Sequence, residues 1–171
     1  MEGAVPESEV LVGIAALALT LTGFSGLVAV LSTRGAEQWT QGERIQFFEL
    51  ITISLAVTFL AFVPILALTF LSNELALQVS NGVIAAGHAL CLVRGVSRVA
   101  RSRDARYSYG LAVFIAIPLT GLAIIAAGIG SSLNVISAQS LTILLNLLWM
   151  LFVAVVNFVQ LLAGNWGSDG A

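Results

Sequence analysis

The sequence predicts an all-α fold: a polytopic integral membrane bundle of five transmembrane helices that forms a single domain over residues 1–171. Hydrophobic residues make up 58% of the chain and charged residues only 9%, and the mean hydropathy is +1.01. Soluble domains carry about 25% charged residues, because a surface in water needs them. In addition, the 62 consecutive residues from Tyr107 to Ser168 include no formal charge. These observations exclude a soluble globular domain and a disordered chain.

Five segments are long and apolar enough to cross a bilayer as helices. The hydrocarbon core is about 30 Å thick, so a helix needs roughly 20 residues to span it while bonding its own backbone groups. The predicted spans are Val10–Leu31, Ile45–Leu71, Leu75–Val93, Tyr109–Gly130 and Leu141–Ala163. The connections between them are short, which favours a compact bundle in which neighbouring helices pack antiparallel.

We expect the first predicted span to be a retained helix rather than a cleaved signal peptide. The residues before it include Glu2, Glu7 and Glu9 but no basic residue, whereas a signal peptide begins with a positive region. One face of this span carries small residues at a spacing that lets helices approach closely, within the bundle or between protomers. These residues are Gly13, Ala16, Thr20 and Gly23.

Prolines lie inside the second and fourth predicted spans. Pro64 and Pro118 each remove a backbone donor, so both spans are expected to kink. The fourth span also carries Gly121 and Gly128, which offer a second smooth face for close packing.

The third and fifth predicted spans carry polar side chains on one face each. On the third, these side chains fall within an arc of roughly 80° on a helical wheel, and on the fifth within roughly 60°. Along the third helix the members are Glu74, which directly precedes the span, and Gln78, Asn81 and His88; along the fifth they are Gln139, two residues before the span, and Thr142, Asn146, Asn157 and Gln160. Such stripes on apolar helices are expected to face the bundle interior, because lipid cannot bond them.

The two stripes are predicted to meet at two levels. Counted at about 1.5 Å per residue from the turn at Asn73 and from Ser140, Asn81 is level with Asn146, and His88 with Asn157. The stripes therefore form either a hydrated seam that passes a small solute or ion, or dry interhelical hydrogen bonds, which typically contribute about 0.6–2 kcal/mol each.

The arginines predict the orientation. Basic loops stay on the cytoplasmic side. With the N-terminus outside and the C-terminus inside, all seven arginines fall on the cytoplasmic side, five of them in the basic loop 94–108, and the reverse orientation leaves none there. In general shape the segments resemble small bacterial membrane proteins, so the expected location is the bacterial inner (plasma) membrane.

Glu49 is the only charge inside the second predicted span. Counted back from the turn at Asn73, it differs in depth from His88 by about 14 Å and is level with Arg94 and Arg98. We therefore predict an ion pair of Glu49 with one of these arginines at the inner interface. A cation-binding acid in a pathway is the alternative.

His88 is the only histidine, and no acid is predicted at its level. A neutral imidazole bonded to an amide such as Asn157, or to a backbone carbonyl, is the structural interpretation, and a proton relay or pH sensor is the functional one. Cys91 is the only soft ligand near it, and two ligands do not make a zinc site, so no metal and no cofactor are predicted.

The arginines of the basic loop 94–108 are interpreted mainly as determinants of topology. They can also hold anionic phospholipid headgroups at the cytoplasmic face. The arginines concerned are Arg94, Arg98, Arg101, Arg103 and Arg106. The first three share one face if the third helix continues into the cytoplasm. Nucleic-acid binding is disfavoured, because no aromatic residues are interleaved with the basic ones and no cytoplasmic domain is predicted.

The expected function is an oligomeric channel or transporter for a small solute or ion, lined by the polar stripes of the third and fifth helices. The alternative is a non-catalytic assembly or accessory subunit that binds partner membrane proteins. Its buried amides would then only hold the helices together through interhelical hydrogen bonds. Small-residue faces and the small size of the bundle favour a homo-oligomer or a partner membrane protein. No catalytic constellation is present, so an enzyme is not predicted.

Overall fold

The computed structural model describes residues 6–31, 39–102 and 111–166, which fold into six helices. Numbered along the chain, they are α1 (Ser8–Leu31), α2 (Gln41–Ala61), α3 (Val63–Phe70), α4 (Asn73–Arg101), α5 (Leu111–Ser132) and α6 (Gln139–Trp166). Within these ranges, five helical segments are long and apolar enough to cross a membrane, and α2 and α3 together form one of them. The prediction of an all-α protein with five candidate spans is confirmed.

The predicted second span consists of two helices rather than one. Phe62 separates them, and its backbone N–H donates to Phe59 O at 3.2 Å, the tighter spacing of a 3₁₀ turn. Pro64 follows as the second residue of α3, where its missing N–H costs least. The expected kink at Pro64 therefore takes the form of a break at Phe62, whereas α5 continues as one helix through Pro118.

The third predicted span continues further than expected. α4 runs on from Val93 to Arg101, so the predicted basic loop 94–108 begins later than its sequence suggests. Hydropathy indicates where a helix leaves an apolar medium. The helical backbone hydrogen bonds continue beyond that point if the residues there favour a helix. Arg94, Arg98 and Arg101 consequently lie on one helix, while Arg103 and Arg106 lie outside the described residues.

The bundle is apolar on the outside as well as at its centre. Its core lies between α1, α2, α4 and α6 and includes Leu11, Leu50, Ile84 and Leu147, each of which is fully buried. Large apolar side chains cover the outer surface; Phe70, for example, is 84% exposed. Such a surface is typical of a protein that sits in lipid, since a soluble monomer rarely exposes large apolar patches.

The connection between α5 and α6 folds against the end of the bundle. The backbone N–H of Val135 bonds to Gly130 O at 2.9 Å, and that of Asn134 to Ser131 O at 3.2 Å. Asn134 has a φ of 58°, a left-handed conformation that asparagine tolerates better than most residues. This helix-terminating motif directs the chain back so that α6 starts beside α4.

Glycines on α5 admit polar side chains from neighbouring helices. A Cβ on Gly128 would lie 3.0 Å from Asn146 Nδ2, and one on Gly121 would lie 3.4 Å from His88 Nε2. The expected small-residue face of α1 behaves differently, because its members Gly13 and Gly23 have open space where a Cβ would be. That face does not pack inside the bundle.

Candidate functional site

A cluster of polar side chains closes one end of the bundle, where α4 begins. We call it the terminal cluster; it comprises Glu74, Gln78, Asn134 and Gln139. Glu74 Oε1 accepts from Asn134 Nδ2 at 3.2 Å and from Gln78 Nε2 at 3.4 Å. Gln139 Nε2 donates to Asn134 Oδ1 and, at 3.3 Å, to Ser131 O. The cluster thus joins α4 to α6 through the α5–α6 connection.

Below the terminal cluster, α4 and α6 meet along a line of buried polar side chains. This polar seam comprises Asn81 and His88 of α4 and Thr142 and Asn146 of α6, and each is at most 4% exposed. Asn81 Oδ1 accepts from Thr142 Oγ1 at 2.7 Å, and Asn81 Nδ2 donates to Leu77 O and Gln139 O. Every polar atom of the Asn81 side chain therefore has a partner inside the protein.

His88 and Asn146 form the second level of the seam, and their contacts determine the imidazole tautomer. His88 Nδ1 lies 2.9 Å from Asn146 Oδ1. Asn146 Nδ2 donates to the backbone oxygens of Thr142 and Ile124, at 2.9 and 3.3 Å, so the amide oxygen must face His88. Because a carbonyl oxygen only accepts, the proton of the neutral imidazole lies on Nδ1 and the lone pair on Nε2.

The two stripes therefore face each other, but each residue of α4 pairs with the stripe residue of α6 that comes before the predicted one in the sequence. The sequence places Asn81 level with Asn146 and His88 level with Asn157, whereas the structure pairs Asn81 with Thr142 and His88 with Asn146. The depth count assumes that α4 and α6 start at the same level. In fact the first residue of α6, Gln139, already lies beside Asn81, because the α5–α6 connection folds into the end of the bundle.

The two remaining members of the predicted stripe on α6 take other partners. Gln160 Oε1 accepts from Gln46 Nε2 at 3.2 Å, which ties α6 to α2 rather than to α4. Asn157 Nδ2 donates to Val153 O of its own helix at 2.9 Å, and Asn157 also lines a cavity next to the seam.

A cavity of about 90 Å³ lies between α2, α4, α5 and α6, beyond the His88 level of the seam. Most of its walls are aliphatic or aromatic. Its lining side chains with polar or titratable groups are Glu49, His88, Cys91, Trp149 and Asn157. Glu49 and His88, which the sequence separates by depth, thus border one internal space because the cavity extends along α4 between them.

Glu49 forms an ion pair at the far end of this cavity. Arg98 Nη1 donates to Glu49 Oε1 at 2.7 Å, and the side chains are 40% and 4% exposed, respectively. Of the two arginines that the sequence offers as partners, the structure brings Arg98 to Glu49, while Arg94 is exposed. Gly95 lies beside the carboxylate, since its Cβ would be 3.1 Å from Glu49 Oε2.

Sequence reasoning missed Trp149, which lines the cavity. Its Nε1 has no hydrogen-bond partner within the described part of the chain. A Cβ on Gly121 would lie 3.4 Å from this nitrogen and equally far from His88 Nε2. A signal was available, because Trp149 follows Asn146 by three residues and therefore shares its helix face.

Among the described residues, no group of three His, Cys, Asp or Glu side chains is arranged to hold a metal ion. No protein-family model, curated protein or solved structure matches the chain.

Proposed function

We propose that this protein is a channel or transporter for a small solute or ion, in which the cavity is the solute site and the polar seam is a closed section of the pathway. The observation that carries the proposal is the cavity itself. It brings Glu49, His88 and Trp149 to the walls of one space between α2, α4, α5 and α6, whose other walls are mostly apolar. A concave apolar site with a few convergent polar groups is the usual form of a small-molecule site.

The proposal includes an orientation and a location. The N-terminus lies outside, the C-terminus lies inside, and the membrane is the bacterial inner membrane. The terminal cluster then faces outward, and the Glu49–Arg98 pair closes the cavity on the cytoplasmic side. Arg94 and Arg101, both exposed at that end of α4, bind anionic phospholipid headgroups together with Arg98, Arg103 and Arg106. The exposed small-residue face of α1 supports a homo-oligomer.

A second candidate is a non-catalytic assembly subunit. It is favoured by the burial of the seam, whose amides bond to one another and to backbone oxygens within the chain. In such a subunit the polar seam only holds α4 and α6 together, and the apolar outer surface of the bundle binds partner membrane proteins.

Chemical modification of Cys91 tests the transport proposal. Cys91 lines the cavity and is the only cysteine in the chain. N-Ethylmaleimide is small and permeates membranes, and its adduct is expected to fill the cavity. We expect the flux of protons, small ions or uncharged solutes into proteoliposomes to fall at least about tenfold as labelling, followed by mass spectrometry, approaches completion.

The Cys91→Ala variant is the matched control and should retain its flux in the presence of the reagent. Unchanged flux from fully labelled wild-type protein would contradict a pathway through this cavity. The absence of flux from folded, unlabelled protein would favour the assembly subunit.

Reporter fusions test the proposed orientation. A fluorescent protein that matures only in the cytoplasm should be bright at the C-terminus and dark at the N-terminus, because the arginines hold their side of the bundle inside. A periplasmic phosphatase should give the reverse pattern. A bright N-terminal fusion with a dark C-terminal one would show that the orientation is inverted.

A further inference from the structure

We infer that the cavity binds a small primary alkylammonium ion with a chain of about four carbon atoms, whose ammonium group takes the place of Arg98 on the Glu49 carboxylate. This inference names the solute class of the proposed pathway and, as a solute assignment, rests on that function. It follows from a carboxylate oxygen that has no partner, from the other side chains around the cavity, and from the single bond that holds Arg98.

Glu49 presents an unpartnered carboxylate oxygen to the cavity. Its side chain is only 4% exposed, and Oε1 accepts from Arg98, but Oε2 has no hydrogen-bond partner among the described residues. Gly95 lines the cavity, and a Cβ on it would lie 3.1 Å from Oε2, so this oxygen borders the space that a larger residue would fill. Trp149 Nε1 is enclosed by protein, whereas Oε2 keeps accessible surface. A ligand in the cavity therefore reaches Oε2.

The side chains around the cavity favour a ligand that is positive and donates hydrogen bonds. His88 donates from Nδ1 to Asn146, and Asn157 donates from Nδ2 to its own helix. An anion would therefore meet the negative charge of Glu49 with little to bind it. A metal ion needs several ligands, and no group of three His, Cys, Asp or Glu side chains within the described ranges is arranged to hold one.

A primary ammonium group matches Oε2 better than an uncharged donor does. A hydrogen bond between charged groups is roughly twice as strong as one between neutral groups. An ammonium has three N–H donors, so one bonds to Oε2 while the others remain for Oε1 or for water at the Arg98 end, where the side chain is 40% exposed. A quaternary ammonium carries the same charge but no N–H, so it cannot make this bond.

Arg98 is held in a way that permits exchange. Its one hydrogen bond to a described residue runs from Nη1 to Glu49 Oε1, and its side chain is partly exposed. Two cations on one carboxylate repel each other, so a bound ammonium weakens the hold of Arg98 on Glu49. The guanidinium can then turn to water or headgroups on its flexible stem. The carboxylate keeps a countercharge throughout, while the pair that closes this end of the cavity opens.

The rest of the cavity suits a short alkyl chain. Beyond Glu49 its walls include Ile53, Val96, Val99 and Ile117. The volume of about 90 Å³ is smaller than the roughly 150 Å³ cavity that holds a benzene molecule in another protein. One narrow chain of about four carbons therefore fits better than a ring, and its transfer from water is favourable.

The fluorescence of Trp149, which lines the cavity, reports binding. In the full-length background variant Trp39→Phe/Trp166→Phe, Trp149 is the only one of the three tryptophans that remains. In nanodiscs at neutral pH and constant ionic strength, we expect n-butylammonium chloride to give a saturable emission shift. Its isomer tetramethylammonium has the same atoms and charge but no N–H, so it should bind at least about tenfold more weakly.

Variants of the ion pair and of Gly95 separate the parts of the inference. Glu49→Gln should abolish the saturable shift. Arg98→Met removes the competing cation and should tighten n-butylammonium binding at least about tenfold, whereas the double variant Arg98→Met/Glu49→Gln should show none. Gly95→Ala places a methyl group against Oε2 and should weaken binding. Gly26→Ala makes the same chemical change where nothing lies within 4 Å and should leave the shift intact.

Three results would overturn the inference: no saturable shift with n-butylammonium, equal affinity for tetramethylammonium, or an unchanged shift in folded Glu49→Gln. Binding that Arg98→Met fails to tighten would overturn the exchange with Arg98. The isomer comparison uses the intact ion pair, so it decides the question even if Arg98→Met does not fold. Flux that N-ethylmaleimide blocks, without any response to n-butylammonium, would remove the ammonium ion and leave the proposed pathway standing.

Discussion

Replacement of Arg98 by methionine is expected to lower the free energy of unfolding by about 2–4 kcal/mol. The substitution leaves the Glu49 carboxylate, only 4% exposed, without its countercharge. A buried charge that loses its partner must either stay ionised in an apolar setting or take up a proton, and both are unfavourable. The upper end of the usual range is not expected, because Arg98 itself is 40% exposed.

The partner substitution should be much milder. In Glu49→Gln the charge is removed, and the partly exposed guanidinium of Arg98 can turn towards water or headgroups. We expect a loss of about 1 kcal/mol or less. The double variant Arg98→Met/Glu49→Gln should recover most of the stability lost in Arg98→Met, since no buried charge remains.

Unfolding in mixed micelles titrated with dodecyl sulfate measures these differences. Arg94→Met is the matched control, because Arg94 is an exposed arginine on the same helix one turn away. It should change the stability by no more than about 0.5 kcal/mol. Equal losses of stability in Arg94→Met and Arg98→Met would show that the Glu49–Arg98 ion pair does not stabilise the protein. If adding Glu49→Gln does not restore the stability lost in Arg98→Met, the unpaired carboxylate is not the cause of that loss.

Replacement of Asn146 by leucine is expected to lower the free energy of unfolding by about 1–3 kcal/mol. The change removes the acceptor of the His88 Nδ1–H and the donor to Ile124 O, and both lie inside the bundle. The adjacent Gly128 adds to the cost, because its Cβ position lies only 3.0 Å from Asn146 Nδ2 and the space is shaped for an amide.

A double-mutant cycle with His88→Leu separates the hydrogen bond from the packing. We expect a coupling energy of about 0.6–2 kcal/mol between the two positions, the range for polar pairs inside membranes. Thr69→Val is a suitable control, because Thr69 is exposed and bonds only to Leu66 O of its own helix. A coupling energy near zero would contradict the pairing of His88 with Asn146.

The same Asn146→Leu variant separates the two candidate functions. Loss of flux from protein that remains folded and assembled would favour a pathway through the seam. Loss of assembly without any measurable flux in the wild type would favour the accessory subunit.

The sequence by itself determined the all-α class, the five candidate spans and the faces on which polar residues lie. Each of these follows from properties local to the chain. A span needs roughly 20 apolar residues, and helical periodicity decides which residues share a face. A depth count at the helical rise also placed Glu49 level with Arg94 and Arg98, because α2, α3 and α4 form a hairpin in which depth is counted from one turn; the structure then selects Arg98.

Only the tertiary structure decided the register of the seam, the break at Phe62 and the existence of the cavity. The register depended on how the left-handed Asn134 turn folds back, which moves α6 relative to α4. The approach of His88 and Trp149 to Gly121 depends on three helices meeting at one place, and no spacing along a single helix encodes that. Periodicity fixes the direction of a side chain around its own axis, whereas the depth and partner of that side chain are set by packing between helices.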